Sequence, residues 1–168
     1  MGSNKHGKEA WELVADEIDY TGVMDHEIRA VERIMAKRRC DEGVENSSYY
    51  KIDKTPIPGL QTQYGYAFIY PLGASIYYSS QGDRLQQMLT IAHELGHIYY
   101  EHASPYTVNM NTSNISDPEK ENEAYRFAYE LIKRRSIQYG NAQFITERQF
   151  TNDEIVKRIK DIFPEYIP

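Results

Sequence analysis

Apolar residues recur along much of this chain every three to four positions, which is the spacing of a helix with one buried face. Polar stretches separate these helical segments. Three of the segments open with a residue type that caps helices, namely Asp83, Asp117 and Thr151. The pattern predicts five helices, over about 8–20, 25–39, 83–102, 117–138 and 152–163. Helices are therefore the main elements expected at both ends of the chain.

A second pattern, the alternation of apolar and polar residues, occupies the middle of the chain. It predicts strands over about 49–52, 64–70 and 74–79, the last two joined by a hairpin at 71–73. Pro56 and Pro58 indicate a turn-rich link after the first strand. Helices on either side of a small antiparallel or mixed sheet indicate an α+β, zincin-like architecture with about five helices.

The length of the chain indicates how these elements are organised. A chain of 168 residues can form one sizeable core, and no internal repeat divides it. We therefore predict a single domain over residues 1–168, with N-terminal helices over about 8–40 and the sheet over about 49–79. The segment 103–116, rich in Ser, Asn and Thr, is predicted to be an exposed loop.

The helix predicted over about 83–102 carries the motif with the clearest chemistry. His93 and His97 are four residues apart and Glu94 directly follows the first, which is the HExxH signature of zinc peptidases. Residues one helical turn apart share a face, so both imidazoles can reach one metal ion. Glu94 projects beside that ion, toward solvent, where a general base would act on a metal-bound water. The same helix has an apolar stripe that would bury its other side, formed by Leu85, Met88, Leu89, Ala92, Leu95 and Tyr99.

A catalytic zinc takes three protein ligands and leaves the fourth position to water, so a third ligand must lie elsewhere. The motif that supplies a third histidine requires a glycine and a histidine where this chain has Tyr100 and Ala103. His102 is rotated away from the direction of the pair and is a weak candidate. A carboxylate at the start of the helix over 117–138 is the remaining choice.

Helical angles rank the three glutamates at the start of that helix. Glu121 lies about 60° from the centre of the apolar face, Glu123 about 100°, and Glu119 further still. This ranking favours Glu121 as the third ligand and leaves Glu123 as the alternative. Acidic residues in a first turn also stabilise a helix through its dipole, so their presence alone does not require a metal.

The two motifs together resemble the ImmA/IrrE family of bacterial and phage metallopeptidases. IAHELGH over 91–97 and ENEAYRFAYEL over 121–131 are similar to that family's HExxH and E-x-E-A-N-x-F-A-x-x-L-L motifs. The resemblance covers residues 65–132 and implies a gluzincin-like fold with one catalytic Zn²⁺, held by two histidines and the first glutamate of the second motif. It also implies cleavage of helix-turn-helix repressors that control mobile genetic elements or stress responses.

Two positions depart from the family's pattern. Tyr125 stands where the family usually has Asn, which could change the support of the glutamate ligand. Lys133 and Arg134 replace a Met-Pro helix stop and predict a longer helix. Neither departure removes a proposed catalytic group, so the chemistry transfers more readily than the identity of the substrate.

The expected enzyme is a hydrolase in which His93, His97 and Glu121 bind zinc and Glu94 acts as general base and acid. A second electrophile could come from Tyr100, His102 or Tyr106, and the sequence does not choose among them. An extended substrate is expected to add along the edge of the strand over 74–79. The rival interpretations are a non-catalytic, zinc-stabilised binding module of the antitoxin-like or repressor-sequestering kind, and a structural domain without metal.

Composition narrows the partners and the compartment. Nineteen Lys and Arg residues against 25 Asp and Glu give a net charge of −6, which argues against direct nucleic-acid binding. No apolar run is long enough for a membrane span, and no signal peptide is visible. The single cysteine, Cys40, excludes an internal disulfide and is typical of a cytoplasmic protein. The expected partner is therefore a protein substrate, a DNA-binding repressor.

Overall fold

The computed structural model describes residues 23–58, 60, 65–103, 111–139 and 150–168. The helix predicted over 8–20, the candidate Tyr106 and the middle of the loop predicted over 103–116 lie outside the described residues. Among the described residues there are four α-helices, α1 (Asp25–Asp41), α2 (Arg84–Tyr99), α3 (Pro118–Tyr139) and α4 (Asn152–Ile162), and three strands, β1 (Lys51–Ile57), β2 (Tyr66–Tyr70) and β3 (Gly73–Ser79). The α+β fold class is confirmed.

The sheet is mixed, with strand order β1-β3-β2. Strand β3 is parallel to β1 and antiparallel to β2, to which it is joined by the hairpin expected from the sequence. Gly73 opens β3 opposite Lys51, and a Cβ at this glycine would lie 2.2 Å from the carbonyl oxygen of Lys51. Glycine is therefore required for β1 to approach β3 this closely.

Two expectations about the sheet are wrong. Strand β1 does not end near residue 52 but continues to Ile57 and includes Pro56, which pairs with Tyr78. An edge strand can accept proline because one side of its backbone needs no ladder hydrogen bonds. Strand β3 is the central strand, paired on both sides, so a substrate cannot add along it as expected. The outer edge of β2 instead meets Asn111 through a bridge to Phe68.

Helix α2 runs through the centre of the fold with nearly every residue buried. Its N-terminus is capped by Asp83, whose side chain accepts a 2.8 Å hydrogen bond from the backbone N–H of Gln86. Arg158 of α4 donates two 2.8 Å hydrogen bonds to the same carboxylate. The helix ends at Tyr99, earlier than expected, because Glu101 adopts a left-handed conformation with φ of 54°.

Helices α2 and α3 pack closely at Gly96. A Cβ at this position would lie 3.0 Å from both the Cα and the carbonyl oxygen of Ala124, and 3.2 Å from the Cβ of Phe127. The missing side chain therefore sets how near the two helices come. This close approach places the first turns of α3 opposite His93 and His97.

Helix α4 closes the fold beside α3. It begins at Thr151 with a complete capping box that includes Glu154, and it buries Ile155 and Ile159 against the core. After it, Phe163 stacks on Tyr125 of α3 with ring centroids 5.5 Å apart. In the described part of the chain, no helix combines the length and apolarity needed to span a membrane.

Candidate metal centre

Two histidines of α2 and one glutamate of α3 converge on a single point. His93 Nε2 and His97 Nε2 are 3.0 Å apart. The Glu121 carboxylate lies across them, with Oε2 3.3 Å from His93 Nε2 and Oε1 2.9 Å from His97 Nε2. Within the described ranges, these three residues form the one cluster of side chains that could hold a metal ion, and we call it the metal group. Glu121 belongs to this group and Glu123 does not.

This arrangement fits a metal ion in both chemistry and spacing. Two neutral imidazoles cannot both face each other through lone pairs at 3.0 Å unless a proton or a cation lies between them. In a tetrahedral zinc site with bonds of about 2.0–2.1 Å, neighbouring ligand atoms are about 3.4 Å apart. The separations here are slightly shorter, and small side-chain rotations would open the group to that spacing.

The electrostatics of Glu121 suit a ligand. Burial acts to raise the pKa of this carboxyl group, but hydrogen bonds and charge from His93 and His97 outweigh burial and lower the pKa to about 2. The carboxylate is therefore ionised at neutral pH, as metal coordination requires. Its first-turn position also lets the helix dipole favour the negative charge.

Glu94 is buried, with only 3% of its surface exposed, which corrects the expectation that it points to solvent. The 3₁₀ turn at Thr112–Asn114 contacts this side chain through Thr112. Thr112 Oγ1 donates a 2.7 Å hydrogen bond to Glu94 Oε2 and accepts a 2.8 Å hydrogen bond from the backbone N–H of Ala67. Burial raises the pKa of Glu94, against the charge of His97 and the Thr112 hydrogen bond, which lower it. A raised pKa moves a carboxylate toward the range in which it works efficiently as a general base.

Thr112 is a site residue that the sequence did not reveal. It lies in the segment interpreted as an exposed loop, yet it is buried and joins the edge strand β2 to the HExxH helix. No local motif marks such a residue, since its partners are 45 and 18 positions away along the chain.

We expect Thr112→Val to destabilise the metal-free protein by about 1–3 kcal/mol. Valine has nearly the same shape but leaves the buried N–H of Ala67 without its acceptor, and that loss carries the desolvation cost of the group. Urea unfolding followed by circular dichroism measures the change. Thr112→Ser keeps the hydroxyl and should lose clearly less free energy of unfolding. Equal stability of the two variants would contradict a stabilising role of the Thr112 hydroxyl.

A cavity of about 260 Å³ opens beside the metal group. Glu94, His93, His97 and Glu121 line one part of it, and the rest includes the apolar side chains of Leu89, Ile115, Ile162 and Phe163. Such a pocket offers both reactive groups and a surface for an apolar side chain of a substrate.

Tyr125 supports the metal group from α3. Its ring packs on the imidazole of His93, with centroids 3.9 Å apart and planes inclined by 35°. In the part of the chain that the structure describes, His93 Nδ1 is buried without a hydrogen-bond partner. Packing against Tyr125 therefore orients this imidazole, so the residue that departs from the family's Asn contacts one of the candidate ligands.

The candidates Tyr100, His102 and Glu123 do not line this cavity. Tyr100 and His102 are two of the three residues considered as electrophiles; the third, Tyr106, lies outside the described residues. His102 lies behind His97, with the two Nδ1 atoms 2.9 Å apart, and Glu123 is 3.6 Å from His102. Burial, with the charge of His97 adding to it, lowers the pKa of His102 to about 3, so this imidazole is neutral at pH 7.

A small α+β fold that carries HExxH on its central helix and a glutamate facing it from the next helix defines a zincin-like domain. The model of the family described as Peptidase M78, IrrE N-terminal-like domain, matches residues 48–135. The chain belongs to this family, the ImmA/IrrE metallopeptidases. The match includes all three strands, α2 and the part of α3 that holds Glu121. Comparisons with curated proteins and with solved structures give no match.

Proposed function

We propose that this protein is a zinc-dependent endopeptidase that cleaves a helix-turn-helix transcriptional repressor or a similar regulator. The observation that carries the proposal is the buried Glu94 carboxylate beside the group of His93, His97 and Glu121, in one cavity. Family membership supports metallopeptidase chemistry with a metal that is typically zinc.

In the proposed mechanism His93, His97 and Glu121 hold the metal. When bound, zinc supplies a water of lowered pKa and polarises the scissile carbonyl. Glu94 accepts the proton of the attacking water and returns it to the leaving amine. Thr112 fixes one carboxylate oxygen of Glu94 and thereby orients the other for proton transfer. The apolar cavity wall holds a substrate side chain.

The proposed substrate class agrees with the charge of the chain. DNA-binding repressors carry basic surfaces that bind phosphates, and a protein with a net charge of −6 attracts such surfaces. The proposal requires no direct contact with nucleic acid or membrane. It also places the protein in the cytoplasm, where such repressors act.

The proposal is tested by incubating the zinc-loaded protein with helix-turn-helix regulators encoded beside its gene. We expect one regulator to be cut into two discrete fragments, the reaction to stop with a chelator and to resume when stoichiometric zinc is restored. Gel electrophoresis and mass spectrometry identify the fragments and the cleaved bond. A protein that cannot be loaded with zinc, or that leaves all these regulators intact when loaded, contradicts the proposal.

A further inference from the structure

We propose that His102 and Glu123 are positioning residues that hold His97 in the tautomer able to bind metal. The inference rests on the proposed metal site and assigns to both residues a role other than ligand or electrophile. The three side chains form a row. His97 has its Nε2 at the metal group and its Nδ1 against the ring of His102, and the other side of the His102 ring faces the Glu123 carboxylate.

The contact between the two histidines has a direction. At 2.9 Å, His97 Nδ1 and His102 Nδ1 form a hydrogen bond in which one nitrogen donates and the other accepts. If His97 donates, its Nε2 carries a lone pair toward His93 and Glu121. If His97 accepts, its Nε2 carries the proton and cannot bind a metal. Only the arrangement in which His97 donates is compatible with the proposed metal centre.

Glu123 favours the arrangement in which His97 donates to His102. Its Oε2 lies 3.6 Å from His102 Nε2, close enough for the negative charge to favour a proton on that nitrogen. A neutral imidazole that carries its proton on Nε2 has a free lone pair on Nδ1, so His102 must accept from His97. The carboxylate thus acts on the metal ligand through an intervening imidazole, as carboxylates commonly act on histidine ligands directly.

The turn after α2 holds His102 in this position. Glu101 has the left-handed φ of 54° that ends the helix, and its carboxylate pairs at 2.6 Å with Arg39, which is almost fully buried. The backbone N–H of His102 donates a 3.0 Å hydrogen bond to the carbonyl oxygen of His97. The Tyr100 ring stacks on the His102 ring, with centroids 5.6 Å apart and planes inclined by 17°. His102 is therefore fixed on both sides, and its side chain is only 6% exposed.

The same geometry excludes His102 as a ligand. Its ring meets His97 on the Nδ1 side, whereas the group that would bind metal is on the Nε2 side. The two histidine ligands are consequently oriented by different means, His97 by a hydrogen bond from behind and His93 by the ring of Tyr125.

The experiment measures zinc affinity by competition with a chromogenic chelator at pH 7, without any substrate. His102→Phe keeps a ring for Tyr100 to stack on but removes the acceptor, and we expect the Kd for zinc to rise by roughly 10- to 100-fold. His102→Asn places an amide oxygen near the position of Nδ1 and should recover much of that loss. Glu123→Gln should weaken binding by roughly tenfold or less, while Glu119→Gln, an exposed glutamate on the same helix, should leave the Kd unchanged.

A second readout separates positioning from a general loss of structure. In the zinc-loaded protein, ¹H–¹⁵N NMR should show the His97 Nδ1 proton shifted downfield by its hydrogen bond to His102, and His102→Phe should lose that shift. Unchanged zinc affinity, or an unchanged shift of the His97 Nδ1 proton, in His102→Phe would overturn the inference. If the wild-type protein takes up no zinc, both the proposed function and the inference fail. If it binds zinc but cuts no regulator, only the proposed function fails.

Discussion

Glu94→Gln is expected to bind zinc as the wild type does and to lose peptide cleavage by about two to four orders of magnitude, the range that a general acid–base group contributes. The amide has the same shape as the carboxylate and can still accept a hydrogen bond from Thr112, so the site should keep its structure. It cannot accept the proton of the attacking water. The measurement is the rate of repressor cleavage beside the zinc content of the same preparation.

The stability of this variant gives an internal control. Burial raises the pKa of Glu94 in the folded protein above its value in the unfolded chain. The carboxyl group therefore lowers the stability of the fold as the pH rises from the unfolded pKa to the folded one. Replacing it with a neutral amide should leave the metal-free protein at least as stable at pH 7. A loss of cleavage together with unfolding would therefore not count as support for a catalytic role.

The same variant distinguishes the enzyme from the rival binding module. A repressor-sequestering protein needs its fold and its zinc but not a general base, so Glu94→Gln would relieve repression in cells as well as the wild type does. Full biological effect of the variant, with intact repressor recovered from the cells, would contradict the peptidase proposal.

Glu121→Gln is expected to raise the Kd for zinc by roughly a hundredfold or more, because a zinc ligand contributes on the order of 3 kcal/mol to binding. The carboxylate contacts both imidazoles and stays ionised, since its pKa is lowered to about 2, whereas an amide is neutral and a poor zinc ligand. Zinc per chain after dialysis, measured by mass spectrometry, and the competition titration should agree.

Glu123→Gln is the comparison variant for this experiment, and Glu119→Gln, whose side chain is exposed, is the control. The two glutamates are two residues apart on α3, but Glu123 faces His102 and is not part of the metal group. Its zinc content after dialysis should stay near that of the wild type, even if its affinity falls modestly. Retention of zinc by Glu121→Gln and its loss from Glu123→Gln would reverse the assignment of the third ligand.

Comparison of the chain with its fold shows which features follow from local rules. Helix α2, its Asp83 cap, the hairpin between β2 and β3, and the capping box of α4 all depend on residues within four or five positions of one another. Periodicity and capping describe such neighbours well, because the backbone fixes their relative positions.

Other features depend on partners far along the chain, and the sequence predicted these incompletely or wrongly. The central place of β3 depends on its parallel pairing with β1, and the burial of Glu94 depends on Thr112, 18 positions away. Helical angles favoured Glu121 over Glu123 and left both open, because an angle on one helix does not say where the neighbouring helix lies.

The sequence by itself determined that His93 and His97 share one helical face with Glu94 beside them, since a helix repeats every 3.6 residues wherever it lies. Only the tertiary structure decided what surrounds that face. Gly96 lets α3 approach until Glu121 meets both imidazoles, and the turn at Glu101 brings His102 behind His97. These contacts join separate elements, so they follow from packing rather than from the spacing of residues along the chain.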